Sequence, residues 1–124
     1  TDYDCLTLLH QRPGQRGLQV CPGADADPET RGDTALAWTS VEPTDGTITC
    51  NIGDMLKRWS DDQLKSTLHR VRTPTVDEDL AARYSIAFFA QANREAMIQG
   101  PRKRYEPISA ADYLQQRIDA NFVA

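Results

Sequence analysis

Four side chains in this sequence combine types that do chemistry together: Asp2, His69, Arg83 and Ser85. A carboxylate and a neutral imidazole make up two thirds of the facial set that holds non-haem Fe(II) while leaving positions open for other ligands. Arginine offers a planar fork that matches a carboxylate, and a serine two residues on along a strand adds a hydroxyl from the same side. Such a pair suits the far end of a dicarboxylate whose near end chelates a metal. Singly, each residue has a duller explanation. An N-terminal Asp is usually solvated, a lone strand His is usually structural, and an Arg at a strand start usually meets a surface carboxylate.

Other candidates carry less. His10 lies at the far end of the strand that follows Asp2, more than about 20 Å away at 3.3 Å per residue, too far to share a metal. Asp54 reads as a turn or helix-cap carboxylate, and Asp61-Asp62 as loop. Arg102-Lys103-Arg104 reads as a solvated basic run, and Trp38 and Trp59 as core or pocket wall. Cys5, Cys21 and Cys50 form no CxxC and cannot all pair, so they read as small buried apolar groups in a reducing cytosol. A cytoplasmic location is the expectation. With His10 and His69 in separate segments, a Cys/His zinc site is not expected.

The elements that must position these groups are mostly strands. Cys5–Gln11 and Gly17–Cys21 predict two short strands, punctuated at Pro13-Gly14 and Pro22-Gly23 and expected to pair as an antiparallel hairpin. Ala24–Asp33 reads as an exposed loop. Ala35–Val41 and Thr47–Ile52 predict an outgoing and a returning strand around a Pro43–Gly46 turn. Met55, Leu56 and Trp59 line a short helical turn, and Thr67–Val71 is a further strand that Pro74 closes. Arg83–Phe89 alternates most clearly: Tyr84, Ile86 and Phe88 are expected in the core. Arg83, Ser85, Ala87 and Phe89 are expected to face a lined cavity. At the C-terminus Ser109 is a candidate N-cap with Asp112 at the third helical position. Leu114, Ile118 and Phe122 form a stripe on a helix over about 110–121, expected to dock outside the sheet.

Length and composition bound the rest. The chain has 124 residues, one domain's worth, is 40% hydrophobic and 26% charged, and carries a net charge of −4. An acidic chain of this kind is not expected to bind nucleic acid, and no apolar run reaches the roughly 20 residues that span a bilayer. The opening residues lack the basic and apolar regions of a secretory signal.

Taken in order, several stretches resemble a known family. Thr1-Asp2-Tyr3, Leu6–Leu9, Gly17–Val20, Asn51-Ile52-Gly53-Asp54, Trp59, Ser66–Val71 and Arg83–Phe89 are similar to the C-terminal part of an isopenicillin-N-synthase-like oxygenase dependent on 2-oxoglutarate and Fe(II), of fungal type. The resemblance implies a mainly β fold, a partial double-stranded β-helix or jelly-roll core with the C-terminal helix outside. It implies Asp2 as the carboxylate ligand of a His-x-Asp motif and His69 as the distal histidine ligand of Fe(II). Arg83 and Ser85 match an Arg-x-Ser motif for the distal carboxylate of 2-oxoglutarate, and Phe89 falls where relatives place an aromatic near the substrate.

The implied reaction uses dioxygen and 2-oxoglutarate to oxidise, by default hydroxylate, a small organic molecule, releasing succinate and CO2. The first histidine of His-x-Asp would stand immediately before Thr1. Residues 1–124 are therefore expected to be the C-terminal part of such a domain, with the upstream part of the same protein as its partner. On that expectation the isolated piece is inactive, and a catalytically silent scaffold piece is the alternative. Asp4 stands where many relatives have Gly, which is expected to alter the pocket mouth.

Overall fold

The computed structural model describes residues 1–25, 37–78 and 81–122. Eight strands and two helices follow in the order β1 (Leu6–Gln11), β2 (Leu18–Asp25), β3 (Thr39–Ser40), β4 (Thr49–Ile52), α1 (Asp54–Trp59), β5 (Thr67–Val71), β6 (Ser85–Ala90), β7 (Met97–Ile98), β8 (Ile108–Ser109) and α2 (Ala110–Phe122). They form two three-stranded antiparallel sheets, β4-β1-β6 and β3-β2-β5, and a β7-β8 ribbon.

The expected hairpin does not form. β1 takes β4 and β6 as neighbours, with Leu8 opposite both Cys50 and Phe88, while β2 lies in the other sheet with Val20 opposite His69. Likewise β4 does not return along β3 but crosses to β1. Alternation marks a strand and its faces, yet it carries no information on which distant strand completes the ladder. Pro22-Gly23 does not end β2 either. The strand continues to Asp25 through a register shift between Cys21 and Asp25, where a residue without an N–H interrupts the ladder. The remainder of the expected Ala24–Asp33 loop, and Ala35-Leu36 of the next strand, lie outside the described residues. Of that strand β3 keeps only Thr39-Ser40.

The two sheets face each other across Leu9, Ala87 and Thr49 on one side and Leu18, Val20 and Val71 on the other, all lining one cavity. The cavity side expected for Arg83, Ser85 and Ala87 is found, and the core expected for Tyr84, Ile86 and Phe88 is not. The Ser85–Ala87 side of β6 looks toward the opposite sheet, and Tyr84, Ile86 and Phe88 are 70%, 71% and 62% exposed. Which face becomes interior is settled by what stacks on it, and here the opposing sheet lies on the less apolar side.

The densest core sits elsewhere, where Met55, Ile98, Ala110 and Tyr113 are buried together with Cys5, Trp59 and Leu114 packed on them. α2 contributes Ala110, Tyr113 and Leu114 to it, a stripe one turn earlier than Leu114-Ile118-Phe122, and Phe122 is 82% exposed. Its main packing partners are α1 and β8. The N-cap is as expected: the Asp112 N–H donates to Ser109 Oγ at 3.1 Å, and the Ser109 hydroxyl donates back to Asp112 Oδ2 at 2.7 Å. Of the three cysteines, all free, only Cys21 is buried; Cys50 is exposed on β4.

Candidate metal and cosubstrate site

Asp2 precedes the first strand, so its position depends on tertiary fastening. α1 supplies that. The Asp54 N–H donates to the Asp2 carbonyl at 2.8 Å, the Gly53 N–H to the Cys5 carbonyl at 3.0 Å, and the Met55 N–H to the Asp4 carbonyl at 3.2 Å. These N–H groups at the head of α1 have no partner within the helix, and the 2–5 segment satisfies them. Gly53 lies so close to the Asp4 backbone and carboxylate that a Cβ there would collide with both. Asp4 is accordingly buried beneath Gly53 rather than set at the pocket mouth. Burial raises its pKa above the ordinary carboxyl range.

The Asp2 side chain is held just as firmly. Thr7 Oγ1 donates to Asp2 Oδ2 at 2.6 Å and Asn51 Nδ2 donates to the same oxygen at 2.9 Å. Its other oxygen, Oδ1, stands 3.4 Å from His69 Nε2. The far nitrogen of that ring, Nδ1, lies 3.2 Å from the Thr67 carbonyl, so an Nδ1–H there fixes the ring and turns Nε2 toward Asp2. The hydrogen bond from His69 holds the Asp2 carboxyl far below its usual range against the opposing effect of burial, with help from Thr7 and Asn51. Reciprocally, Asp2 raises the His69 pKa. Each group thereby favours the other's charged form.

Arg83 and Ser85 come to the same cavity from the start of β6. It measures about 210 Å³ and is lined by Asp2, His69, Arg83 and Ser85, together with Thr7, Asn51 and apolar residues of both sheets. Arg83 Nη2 donates to Gln11 Oε1 at 2.8 Å, whereas its Nε is buried without a hydrogen-bond partner. Four of the five residues singled out from the sequence thus share one lining. Phe89 does not. It lies on the same face of β6 opposite Thr7, but is 51% exposed and outside the lining. His10 is exposed on the other face of β1, away from the site.

The donor chemistry fits a ferrous ion and a dicarboxylate. Two donors about 2.1 Å from one ion at a right angle stand about 3 Å apart, near the separation of Asp2 Oδ1 and His69 Nε2. Among the described residues no group of three or more His, Cys, Asp or Glu side chains converges on a common metal position. The unpartnered Arg83 Nε is a buried donor that an incoming carboxylate would satisfy.

Sequence reasoning missed Thr7, Asn51 and Gln11. Each is polar at a cavity-facing position of an otherwise apolar strand, opposite a partner that only the register reveals: Thr7 pairs with Asn51, and Gln11 with Ser85. A run such as Leu6-Thr7-Leu8-Leu9-His10-Gln11 contains that signal, since two polar residues with interior parity need partners.

The chain is similar to several known proteins. The family model described as the 2OG-Fe(II) oxygenase superfamily matches residues 1–92. A homoarginine-6-hydroxylase (2-ODD-233) of Oryza sativa subsp. japonica is 34% identical over 99% of the chain, which spans 36% of that protein. The 2-oxoglutarate-Fe(II) type oxidoreductase ppzD of Metarhizium majus is 33% identical over 95% of the chain and 34% of its own length. Among solved structures, full-length Neurospora crassa T7H in complex with alpha-KG and thymine superposes with a TM-score of 0.79 at 36% identity, covering 98% of this chain and 36% of that one. The chain therefore spans about a third of the length of these relatives, and its sheets correspond to part of a jelly-roll core.

Proposed function

Because the chain belongs to the 2OG-Fe(II) oxygenase superfamily, we propose that it forms the C-terminal part of a dioxygenase domain that oxidises a small organic molecule, hydroxylation being the default outcome. Asp2 and His69 would hold Fe(II), with a third protein donor from the histidine of a His-x-Asp motif placed just before Thr1. Arg83 and Ser85 would grip the distal carboxylate of 2-oxoglutarate. With dioxygen, the bound iron and keto acid supply the oxidising chemistry, releasing succinate and CO2.

The chain's own residues contribute orientation and a dry setting. Thr7 and Asn51 occupy Asp2 Oδ2 and leave Oδ1 as the free donor. Thr67 holds the His69 ring by Nδ1 and leaves Nε2 to coordinate. Leu9, Leu18, Val20 and Ala87 give the space between them apolar walls, which strengthens the Arg83 ion pair with a carboxylate. The observation that carries this reading is the convergence of Asp2, His69, Arg83 and Ser85 on one cavity although they are far apart in the chain.

Supplying Fe(II), 2-oxoglutarate and a panel of small molecules to the intact polypeptide and measuring succinate tests it. Release that requires both iron and keto acid supports the reading, and substrate-dependent stimulation identifies the class. The motif resemblance suggests the isopenicillin-N-synthase-like, fungal-type branch, so thymine-type and secondary-metabolite substrates come first on the panel. Homoarginine stands beside them because a plant homoarginine-6-hydroxylase is as similar as the fungal proteins. The two-donor metal position motivates the alternative of a catalytically silent scaffold piece. That alternative expects no succinate from the intact polypeptide, and it gains ground if the residue before Thr1 is not histidine. Three free cysteines support a cytoplasmic setting. Among the described residues no helix is long and apolar enough to cross a membrane.

A further inference from the structure

Arg83 lies just past the end of its ladder. The β1–β6 pairing stops at Gln11 opposite Ser85, and β1's chain then turns away through Pro13-Gly14, with Gly14 at φ 80°. Backbone pairing therefore cannot hold the residues on either side of Arg83. The side-chain amide of Gln15 does so instead. Its Nε2–H donates to the Ala82 carbonyl at 2.9 Å, and its Oε1 accepts the Tyr84 N–H at 2.9 Å. One amide thus satisfies the backbone before and after Arg83, as a neighbouring strand would.

A second glutamine holds the other end of the side chain. Gln11 is 5% exposed; its Oε1 accepts from Arg83 Nη2 at 2.8 Å, and its Nε2 donates to Thr49 Oγ1 on β4 at 3.3 Å. The type of residue matters here. A carboxylate at position 11 would pair with the guanidinium and spend its charge, and an apolar residue would leave Nη2 free to swing. A neutral acceptor tethered to β4 fixes the fork and leaves its charge available to the cavity that Arg83 lines.

We infer that Gln11 and Gln15 are positioning residues that aim Arg83 at the distal carboxylate of the keto-acid cosubstrate, Gln11 through the guanidinium and Gln15 through the backbone. This rests on the assignment of Arg83 proposed above.

The test uses the intact polypeptide with Fe(II), reading the KM for 2-oxoglutarate, the anaerobic Kd by calorimetry, and the thermal midpoint. Gln11→Met is expected to raise KM and Kd about 10-fold, the size of loss typical of a removed supporting hydrogen bond, with kcat at saturation within about 2-fold. Gln11→Glu is expected to raise them further, since its carboxylate competes for the guanidinium. Gln15→Ala is expected to raise them about 3-fold. In an Arg83→Ala background, Gln11→Met is expected to add less than about 2-fold, because positioning acts only through Arg83.

A penalty of equal size in both backgrounds, with a lowered thermal midpoint, would mean a merely structural role and overturn the inference. So would an unchanged KM in Gln11→Met and Gln15→Ala while Arg83→Ala raises it, an outcome that leaves the clamp standing. If Arg83→Ala itself leaves 2-oxoglutarate affinity unaltered, the clamp assignment falls first and the inference with it. Should Gln11→Met not fold, Gln15→Ala at its partly exposed turn decides: a raised KM upholds the inference and an unchanged one overturns it.

Discussion

Two regions of this small protein use carboxylates in opposite ways. Around α1 and the 100–106 segment, Asp61 spends both of its oxygens on the fold. Asp61, 4% exposed, accepts the Arg102 N–H at 2.6 Å and the Arg104 N–H at 3.0 Å. In the cavity, by contrast, one oxygen of Asp2 is fixed by two donors while the other faces only His69. A carboxylate whose bonding capacity is used up by its own fold stabilises that fold. One with capacity held open in a defined direction can take a ligand.

The sharpest break of this contrast comes from the metal position. His69→Ala or Asp2→Ala in the intact polypeptide is expected to reduce Fe(II)-dependent succinate release by more than about 100-fold while leaving the fold in place, since neither residue belongs to the dense core. Near-normal turnover in either variant would remove the pair from the site.

Next in size, Arg83→Ala is expected to raise the KM for 2-oxoglutarate by about 30- to 150-fold, matching the 2–3 kcal/mol of a charge-assisted pair. An unchanged KM there would refute the clamp. The engaged region should answer in stability rather than ligand affinity. Asp61→Ala strips two backbone N–H groups of their acceptors and is expected to cost about 2 kcal/mol in urea unfolding, without changing iron or keto-acid binding. A loss of binding at unchanged stability would erase the distinction between the two regions.

The smallest effect concerns the surface clip in which both Arg72 nitrogens meet Glu78, one at 2.6 Å. Arg72 lowers the Glu78 pKa from 4.5 to about 2. A depressed folded-state pKa means that the clip's contribution is complete above pH 4.5 and disappears as the pH falls toward 2. An NMR titration of the Glu78 carboxyl should show that low midpoint, and Arg72→Ala should raise it, with the Thr75 N–H still holding it below 4.5.

Much of this was legible in the residues. β5 runs over Thr67–Val71 as the alternation predicts, α2 begins at the Ser109 cap, and Asp2, His69, Arg83 and Ser85 do meet. What could not be read depended on distant partners. Tyr84, Ile86 and Phe88 carry the larger side chains of β6, yet the opposing sheet lies on the Ser85 side. Leu114-Ile118-Phe122 makes a plausible stripe, but α1 and β8 meet α2 along Ala110, Tyr113 and Leu114. Asp61, read as loop, is buried because backbone donors more than 40 residues away close on it.

By itself the sequence determined strand periodicity, helix start and the chemical types at the site, because each of these is settled within a few residues by backbone sterics and local hydrogen bonds. Tertiary structure alone decided that β1 pairs with β4 and β6, that Tyr84, Ile86 and Phe88 are left exposed, and that two glutamines brace Arg83. Those outcomes hinge on long-range ladders in which every interior polar atom must find a partner, and that partner is chosen by the whole fold.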